Sequence, residues 1–594
     1  MKISRLVKKL VVAQILMGAW AILPVEALTT NVSTVAELMA VVNANSTDIP
    51  SGSTIVLAAG TYDLSEVEPT AAPDSYGPSS ILIRDKKLIL KGADATSWRD
   101  SPDRTTGVIL KGTNTARIIY AYAGSGRSSQ FFNITFDGGV AASGKNGGGL
   151  FFNGTEGGGF ASNCVFRNCR AAQGGGTHHV TAYDCLYEEC EAVKVDEDSN
   201  SGRGGGAIGT SVNGNYKYTN DFIRCEFWRN KAARNGGAIC HALMGFVGNC
   251  LFMTNSAGTG GAIYTVDDTY TSGGVQNQGL GATSLAYDCT FIGNVSTNTE
   301  GGACRHVKAA RCAFTGNSAQ KHRGGAIHLG SAVDCAFTNN TCGSTSRGGA
   351  VSRVDCTGCT FSGAGNISCG AFDRCVFDHV QATYLLDCLR NVGAPLYMTN
   401  CLVSNCSVGR LVLNEGQYSE FVNCTFADNT IGVGVTAGLS YTIYNSPGAH
   451  GTSQIYYPST NVLVNCIFSG NKYAGNDMDL RLYKPETETD YGYCAIKMAN
   501  CLYTTGLVGG ANIDEGAETL VQGNPRFVAG DSKYPGLPYY SILYGSQARN
   551  AGVNAAWMSS AIDLAGNQRL FDDVVDIGCY ECLLHQAGTI VVVK

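Results

Sequence analysis

Charge is scarce in this chain. Asp, Glu, Lys and Arg make up 15% of its 594 residues, and the net charge is −6, against roughly 25% charged residues in an average soluble domain. That scarcity leaves no basic stripe, so neither nucleic acid nor an anionic membrane is an expected partner. Proline is also rare, at 13 residues. Disorder does not follow, because 44% of the residues are apolar and can fill a core. Beyond residue 27 there is no apolar run of the roughly 20 residues that a spanning helix needs.

What the chain has in excess is glycine, 76 residues, and cysteine, 25 residues. The N-terminus reads as a secretory signal over 1–27. Lys2, Arg5, Lys8 and Lys9 precede an apolar stretch from Leu10 to Leu23, and Val25-Glu26-Ala27 supplies small residues for cleavage after Ala27. The apolar stretch is too short to span a bilayer. The expectation is an exported mature chain without a transmembrane segment. It would be extracellular or at the cell surface, or else periplasmic or associated with an outer membrane.

From residue 164 one phrase returns: Cys-x-aromatic, usually with Asn three residues on. It stands at Cys164/Phe166, Cys185/Tyr187, Cys225/Phe227, Cys250/Phe252, Cys289/Phe291, Cys312/Phe314, Cys335/Phe337, Cys359/Phe361, Cys375/Phe377, Cys424/Phe426 and Cys466/Phe468, with weaker copies at Cys401/Val403 and Cys501/Tyr503. Phe291, Phe314, Phe337 and Phe361 recur at 23, 23 and 24 residues. Longer gaps hold Gly-rich polar stretches such as Thr269–Gly281 and Pro447–Ser459, which read as loops inserted into a coil. Between these phrases comes Gly-Gly-Ala-Ile, at Gly205–Ile208, Gly236–Ile239, Gly260–Ile263 and Gly324–Ile327, with variants at Gly301–Cys304 and Gly348–Val351.

Alternation along a strand puts Cys and Phe on one face. Stacked coils then align them into buried ladders, where a small residue beside a large one fills a narrow core. The Asn column suits a turn, and its side chains can bond from coil to coil. Gly-Gly supplies positive φ or close backbone approach. A leucine-rich repeat would need a Leu-x-x-Leu-x-Leu phrase, which is missing. The fold expected is therefore all-β, a single-stranded right-handed parallel β-helix solenoid.

The alternation of Gly-Gly-Ala-Ile with Phe-x-x-Asn, as at Phe227/Asn230, Phe252/Asn255, Phe291/Asn294, Phe314/Asn317 and Phe337/Asn340, resembles the repeats of chlamydial polymorphic outer-membrane proteins, over residues 147–471. These look like pectin-lyase-type β-helices. The ends resemble secreted bacterial β-helix proteins with variable C-terminal anchors. Thr34–Leu38, Ser53–Leu57 and Gly60–Tyr62 match the entry segment, which implies a short N-terminal capping helix before the first strands of the all-β solenoid; Arg549–Gly552, Asp563–Arg569 and Asp576–Glu581 match the exit. The chlamydial resemblance would imply a translocator barrel, but 13 residues follow Glu581 and a barrel needs at least eight strands, so self-translocation is not expected. The domain reading is a cap with first coils over 28–135, repeats over 136–510, and C-terminal coils with a cap over 511–594.

Buried cysteine behaves as a small apolar residue. The coil spacing permits disulfides between neighbours without requiring them, and mostly free ladder thiols are the expectation. No recurring Cys-x-x-Cys points to zinc. The residue after each Gly-Gly-Ala-x phrase forms a column, Tyr264, Arg305, His328 and Ser352, and the next includes Thr265, His306 and Arg353. Arg305, His306 and His328 are the catalytic candidates, as a basic groove for acidic glycans. Asp196, Glu197 and Asp198 are the candidates for calcium, the one cofactor considered, although they match no defined loop motif. The functional expectation is a non-catalytic, adhesin-like surface protein contacting glycan or another surface. The alternative is a polysaccharide lyase or glycoside hydrolase. A local function should lie where the repeat breaks, around 191–204, 265–284 and 431–461.

Overall fold

The computed structural model describes residues 27–583, except 72–75, 123–127, 154–157, 194–203, 211–219, 242–243, 266–270, 273–274, 277–284, 344–347, 389–394, 436–440, 447, 451–454, 486–493, 515–519, 529–533 and 535. The chain winds into a right-handed parallel β-helix, the hand that parallel crossovers take because twisted strands pack back only that way. No helix among the described residues is long and apolar enough to cross a membrane.

Register follows the sequence columns. Phe166 lies opposite Tyr187, then Phe227, Phe252, Phe291, Phe314, Phe337, Phe361 and Phe377. From Phe291 to Phe361 the rings stack nearly parallel, with centroids 4.7–5.0 Å apart. The long gaps leave this stacking intact. Phe252 pairs directly with Phe291, and Phe426 with Phe468, so the insertions leave the helix outside its core. Each fully buried Phe contributes roughly 1.5–3 kcal/mol relative to exposure.

Two left-handed corners flank each Cys-x-aromatic strand. One is the residue before Cys, such as Asn163, Asp184, Arg224, Asp288, Arg311 and Asp334; the other is the residue before Asn, such as Arg229, Thr254, Gly293 and Gly316. The repeat Asn is therefore not itself the left-handed residue. It points inward, fully buried, and its role is bonding between coils. Asn294 donates from its amide nitrogen Nδ2 and from its backbone N–H to Asn317 Oδ1, both at 2.9 Å, while the same Nδ2 also donates to the Phe252 carbonyl. Asn230, Asn255 and Asn317 repeat the pattern onto the next coil. The ladder cysteines stand as thiols; Cys289 and Cys312 donate S–H to backbone carbonyls of the preceding coil at 3.4 Å.

Both ends are closed, and both send straps along the flank. Helix α1 (Val35–Asn43) carries a Thr34/Glu37 capping box and buries Leu38 and Val42 over the first coil. Residues 94–106 strap several coils: Trp98 packs on Val165 and Leu186 and donates its indole N–H to the Asp184 carbonyl at 2.7 Å. Arg104 sits 4.4 Å from the Trp228 ring centroid and 2.8 Å from Glu226. After the last strand, Leu520–Gln522, the chain runs back along the same flank. Asn500 donates to the Ala551 carbonyl, Asn465 to Val553 and Asn400 to Ile562. A fully buried Arg569 ties this return by facing Glu581 at 3.3 Å. Burial, opposed by Arg569 and reinforced by the nearby Asp576 and Asp563, pushes the Glu581 carboxyl up to about 9.

Where the straps lie, the outward residue of Cys-x-aromatic is apolar at Val165, Leu186, Leu402, Ile467 and Leu502, while Glu226 and Thr425 are polar and bond to strap residues, Arg104 and the Cys579 N–H. Between the straps it is Thr290, Ala313, Ala336 and Thr360, all at least partly exposed.

Replacing Asn317 with Ala removes the acceptor of two Asn294 donors, and the loss should be roughly 2–5 kcal/mol. Urea unfolding should show the midpoint falling for Asn317→Ala and unchanged for Asn298→Ala, an exposed neighbour. Equal midpoints would contradict a buried asparagine ladder.

Candidate functional site

The strand after each Gly-Gly turn alternates a core residue with an outward one. Ile263, Cys304, Ile327 and Val351 point inward and are fully buried. The residues that follow point out, and they pair in register: Tyr264 with Arg305, Arg305 with His328, His328 with Ser352. One coil separates each from the next, about 4.8 Å. The column continues through Ser368 to a fully buried Asp387.

The glycine pair builds the inner wall of this column. Gly324 has φ 71°, and a Cβ there would lie 2.9 Å from His328 Cβ. A Cβ on Gly325 would lie 2.1 Å from the Gly349 carbonyl oxygen. The first glycine folds back over the outward side chain, and the second lets adjacent coils touch.

His306 belongs to a different position. It occupies a left-handed corner at φ 56°, as do Leu329 at 61° and Arg353 at 56°. The column beside Arg305 is therefore a left-handed bend within the strands Cys304–Ala310, Ile327–Val333 and Val351–Thr357. His328 departs from the exposed-groove expectation as well. It is 4% exposed, because its own Gly-Gly turn and the side chains of the coils on either side cover it. Burial, and then the charges of Arg305, His306, Arg353 and Arg323, push the imidazole down to about 3. It is a neutral ring inside a basic cluster. Arg323, at the edge of the Gly-Gly turn, is a member that the column reading missed; its place before the turn, five residues ahead of His328, was the available signal.

Arg305 stands with its guanidinium 5.7 Å from the Tyr264 ring centroid and 4.0 Å from Glu300 Oε2. Three consecutive column members carry a buried polar atom without a hydrogen-bond partner: Arg305 Nε, His328 Nδ1 and Ser352 Oγ. Buried polar groups are nearly always bonded, so three in a row mark this column off from the asparagine ladder. Chemically, the group offers a guanidinium for an anion, a neutral imidazole for a hydrogen bond or proton, and a hydroxyl.

Asp196, Glu197 and Asp198 lie outside the described residues, as do most of the 191–204 and 265–284 insertions. Among the described residues, no group of three or more His, Cys, Asp or Glu side chains is placed to hold a metal ion.

No protein-family model matches the chain, and no curated protein matches it. Solved structures that align with it include a mannuronic acid specific polysaccharide family 6 lyase from human gut microbiota, at 10% identity over 82% of this chain and 83% of the other, with a TM-score of 0.18. The tailspike protein of E. coli bacteriophage HK620, as a mutant, aligns at 12% identity over 82% and 74%, TM-score 0.31. Pectate lyase Pel9A aligns at 10% identity over 94% and 97%, TM-score 0.20. At these identities the likeness concerns the fold alone.

A histidine whose pKa is lower folded than unfolded adds stability above its unfolded value. That stability is lost as pH falls from about 6.5 toward about 3. Imidazole ¹⁵N shifts should report His328 neutral throughout pH 5–8. Titration near 6.5 would contradict the burial described here.

Proposed function

We propose that this chain is an exported, non-catalytic surface or adhesion-type protein that contacts a glycan or another surface along the outer column of Tyr264, Arg305, His328 and Ser352. The observation that carries the reading is the set of three successive buried polar atoms without partners, Arg305 Nε, His328 Nδ1 and Ser352 Oγ. Phe, Asn and Cys columns are consumed by stacking the coils; this column is not. Arg305 suits a carboxylate or sulfate of an acidic glycan, since guanidinium pairs such groups with fixed geometry.

A second reading has its own support. An imidazole beside a guanidinium sets a hydrogen-bond or proton acceptor next to an anion site, the pair of groups a lyase acting on an acidic polysaccharide uses, and bound substrate charge would have to raise its pKa from about 3 for it to act as a base. Hydrolysis is less well supplied, because it calls for two carboxylates across the bond, and near Arg305 the ion-pair distances give one, Glu300.

One experiment separates the two. Purified protein is incubated with acidic and neutral polysaccharides, and binding is read alongside new unsaturated and reducing ends. The proposal expects binding of an acidic polymer, weakened about tenfold or more by Arg305→Ala, with no new chain ends. Robust formation of ends, abolished by Arg305→Ala or His328→Ala, would replace it with the lyase reading.

A further inference from the structure

The thiol file in the core is uninterrupted. Thirteen strands in succession, from Cys164 to Cys501, begin with an inward cysteine, and strand register stacks each on the next. We propose that this file is a binding site for a soft monovalent cation of the copper(I) type, held as a thread in which each ion bridges the sulfurs of two neighbouring coils. The inference is independent of glycan contact.

Stacking uses these thiols, but packing alone does not call for sulfur. In the two coils before Cys164 the same column carries Val108 and Ile134, both fully buried. From Cys164 onward no Val, Ala or Ser interrupts the thirteen. The insertions do not break the file either. Cys250 and Cys289 are neighbours in it across one insertion, and Cys424 and Cys466 across another.

The sulfurs are placed alike, and all are buried. Cys250, Cys312, Cys335 and Cys401 each accept a hydrogen bond at 3.4 Å from the backbone N–H of the cysteine one coil before. Cys250, Cys289, Cys312 and Cys466 each donate S–H to a carbonyl of the coil before, also at 3.4 Å. Equivalent placement keeps successive sulfurs one coil apart, about 4.8 Å.

That interval suits one kind of ion. Thiolate sulfur binds a d10 ion at about 2.3 Å, so a linear sulfur–ion–sulfur unit spans about 4.6 Å. Soft thiolate ligands favour copper(I), which accepts two ligands in line. Zinc takes four ligands in a tetrahedron, and a single file presents two at each gap. The thread needs only pairs of cysteines, and not the groups of three or more metal-binding side chains that are absent among the described residues.

Charge balances as well. Each ion displaces one thiol proton, which leaves to solvent; a sulfur–ion bond replaces S–H, and no electron is transferred. No net charge enters the core. A bare thiolate there would be costly, and burial pushes the thiols of Cys185, Cys250 and Cys401 well up. Thirteen sulfurs enclose twelve gaps. Entry is from the far end, where Leu520 follows Cys501 in the column and is only half-buried. Ions then pass inward by exchanging one sulfur for the next.

The test titrates the reduced full chain with silver(I), which matches copper(I) in charge and softness, and with zinc(II) in parallel. Metal retained through gel filtration and protons released are both counted. Anomalous scattering from crystals of the silver-loaded chain locates the ions. The folded chain should retain several silver ions with one proton released for each. Their positions should lie in line, midway between sulfurs such as those of Cys289 and Cys312, and zinc should not be retained. Cys312→Val introduces the residue that Val108 supplies in the same column, and it should hold two fewer ions. Cys579→Val, outside the file, should hold as many as the parent. Urea midpoints check that the variants fold, and Cys424→Val replaces Cys312→Val if that variant does not. Retention of less than one silver ion by the folded chain would overturn the proposal. So would silver sites away from the file, or an unchanged count in the folded file variant. Equal retention of zinc along the file would make the ligand class wrong.

Discussion

Strands of successive coils lie about 4.8 Å apart, and in a register-perfect solenoid each residue stacks on its counterparts above and below. Every column must therefore tolerate itself at that distance. Phenylalanine does so by stacking, asparagine because its amide both donates and accepts, and the thiol because it is small and donates to backbone. A charge does not: two like charges at this separation repel by about 3–4 kcal/mol at an effective dielectric of 20. This constraint accounts for the low share of charged residues, 15% of the chain. Where charges do stack, they alternate. Arg224 pairs bidentately with Asp184, and Arg311 with Asp288 at 2.7 Å through both oxygens.

The basic cluster at Arg305 is the exception, and its cost is visible. His328, one coil from Arg305, stays neutral because burial and the surrounding cations both oppose protonation. This column breaks the stacking rule and leaves the buried Arg305 Nε, His328 Nδ1 and Ser352 Oγ without hydrogen-bond partners, a cost in stability that the asparagine and phenylalanine columns do not carry.

Much of this was legible in the sequence because stacking converts a repeat directly into a contact. The Phe ladder and the direct pairing of Phe252 with Phe291 across a 39-residue gap follow from motif and spacing, and the helix at Val35–Asn43 from the resemblance of the entry segment. Other features were not. The left-handed corners fall one residue before the asparagines, on residues as varied as Arg229 and Thr254, because the corner is fixed by the coil path and not by residue preference. The burial of His328 depends on a glycine turn folding over it, which no periodicity encodes. The straps were out of reach for the same reason: Trp98 meets Asp184, 86 residues away, through a single contact and not a repeat.

The central claim is that the repeats stack in register, so that sequence columns become physical columns. Long-wavelength anomalous diffraction from crystals of the native chain would locate its sulfur atoms directly. The account predicts the sulfurs of Cys289, Cys312, Cys335 and Cys359 in a single file, each one coil, about 4.8 Å, from the next. Sulfurs paired at about 2.05 Å as disulfides, or scattered without a common line, would contradict it.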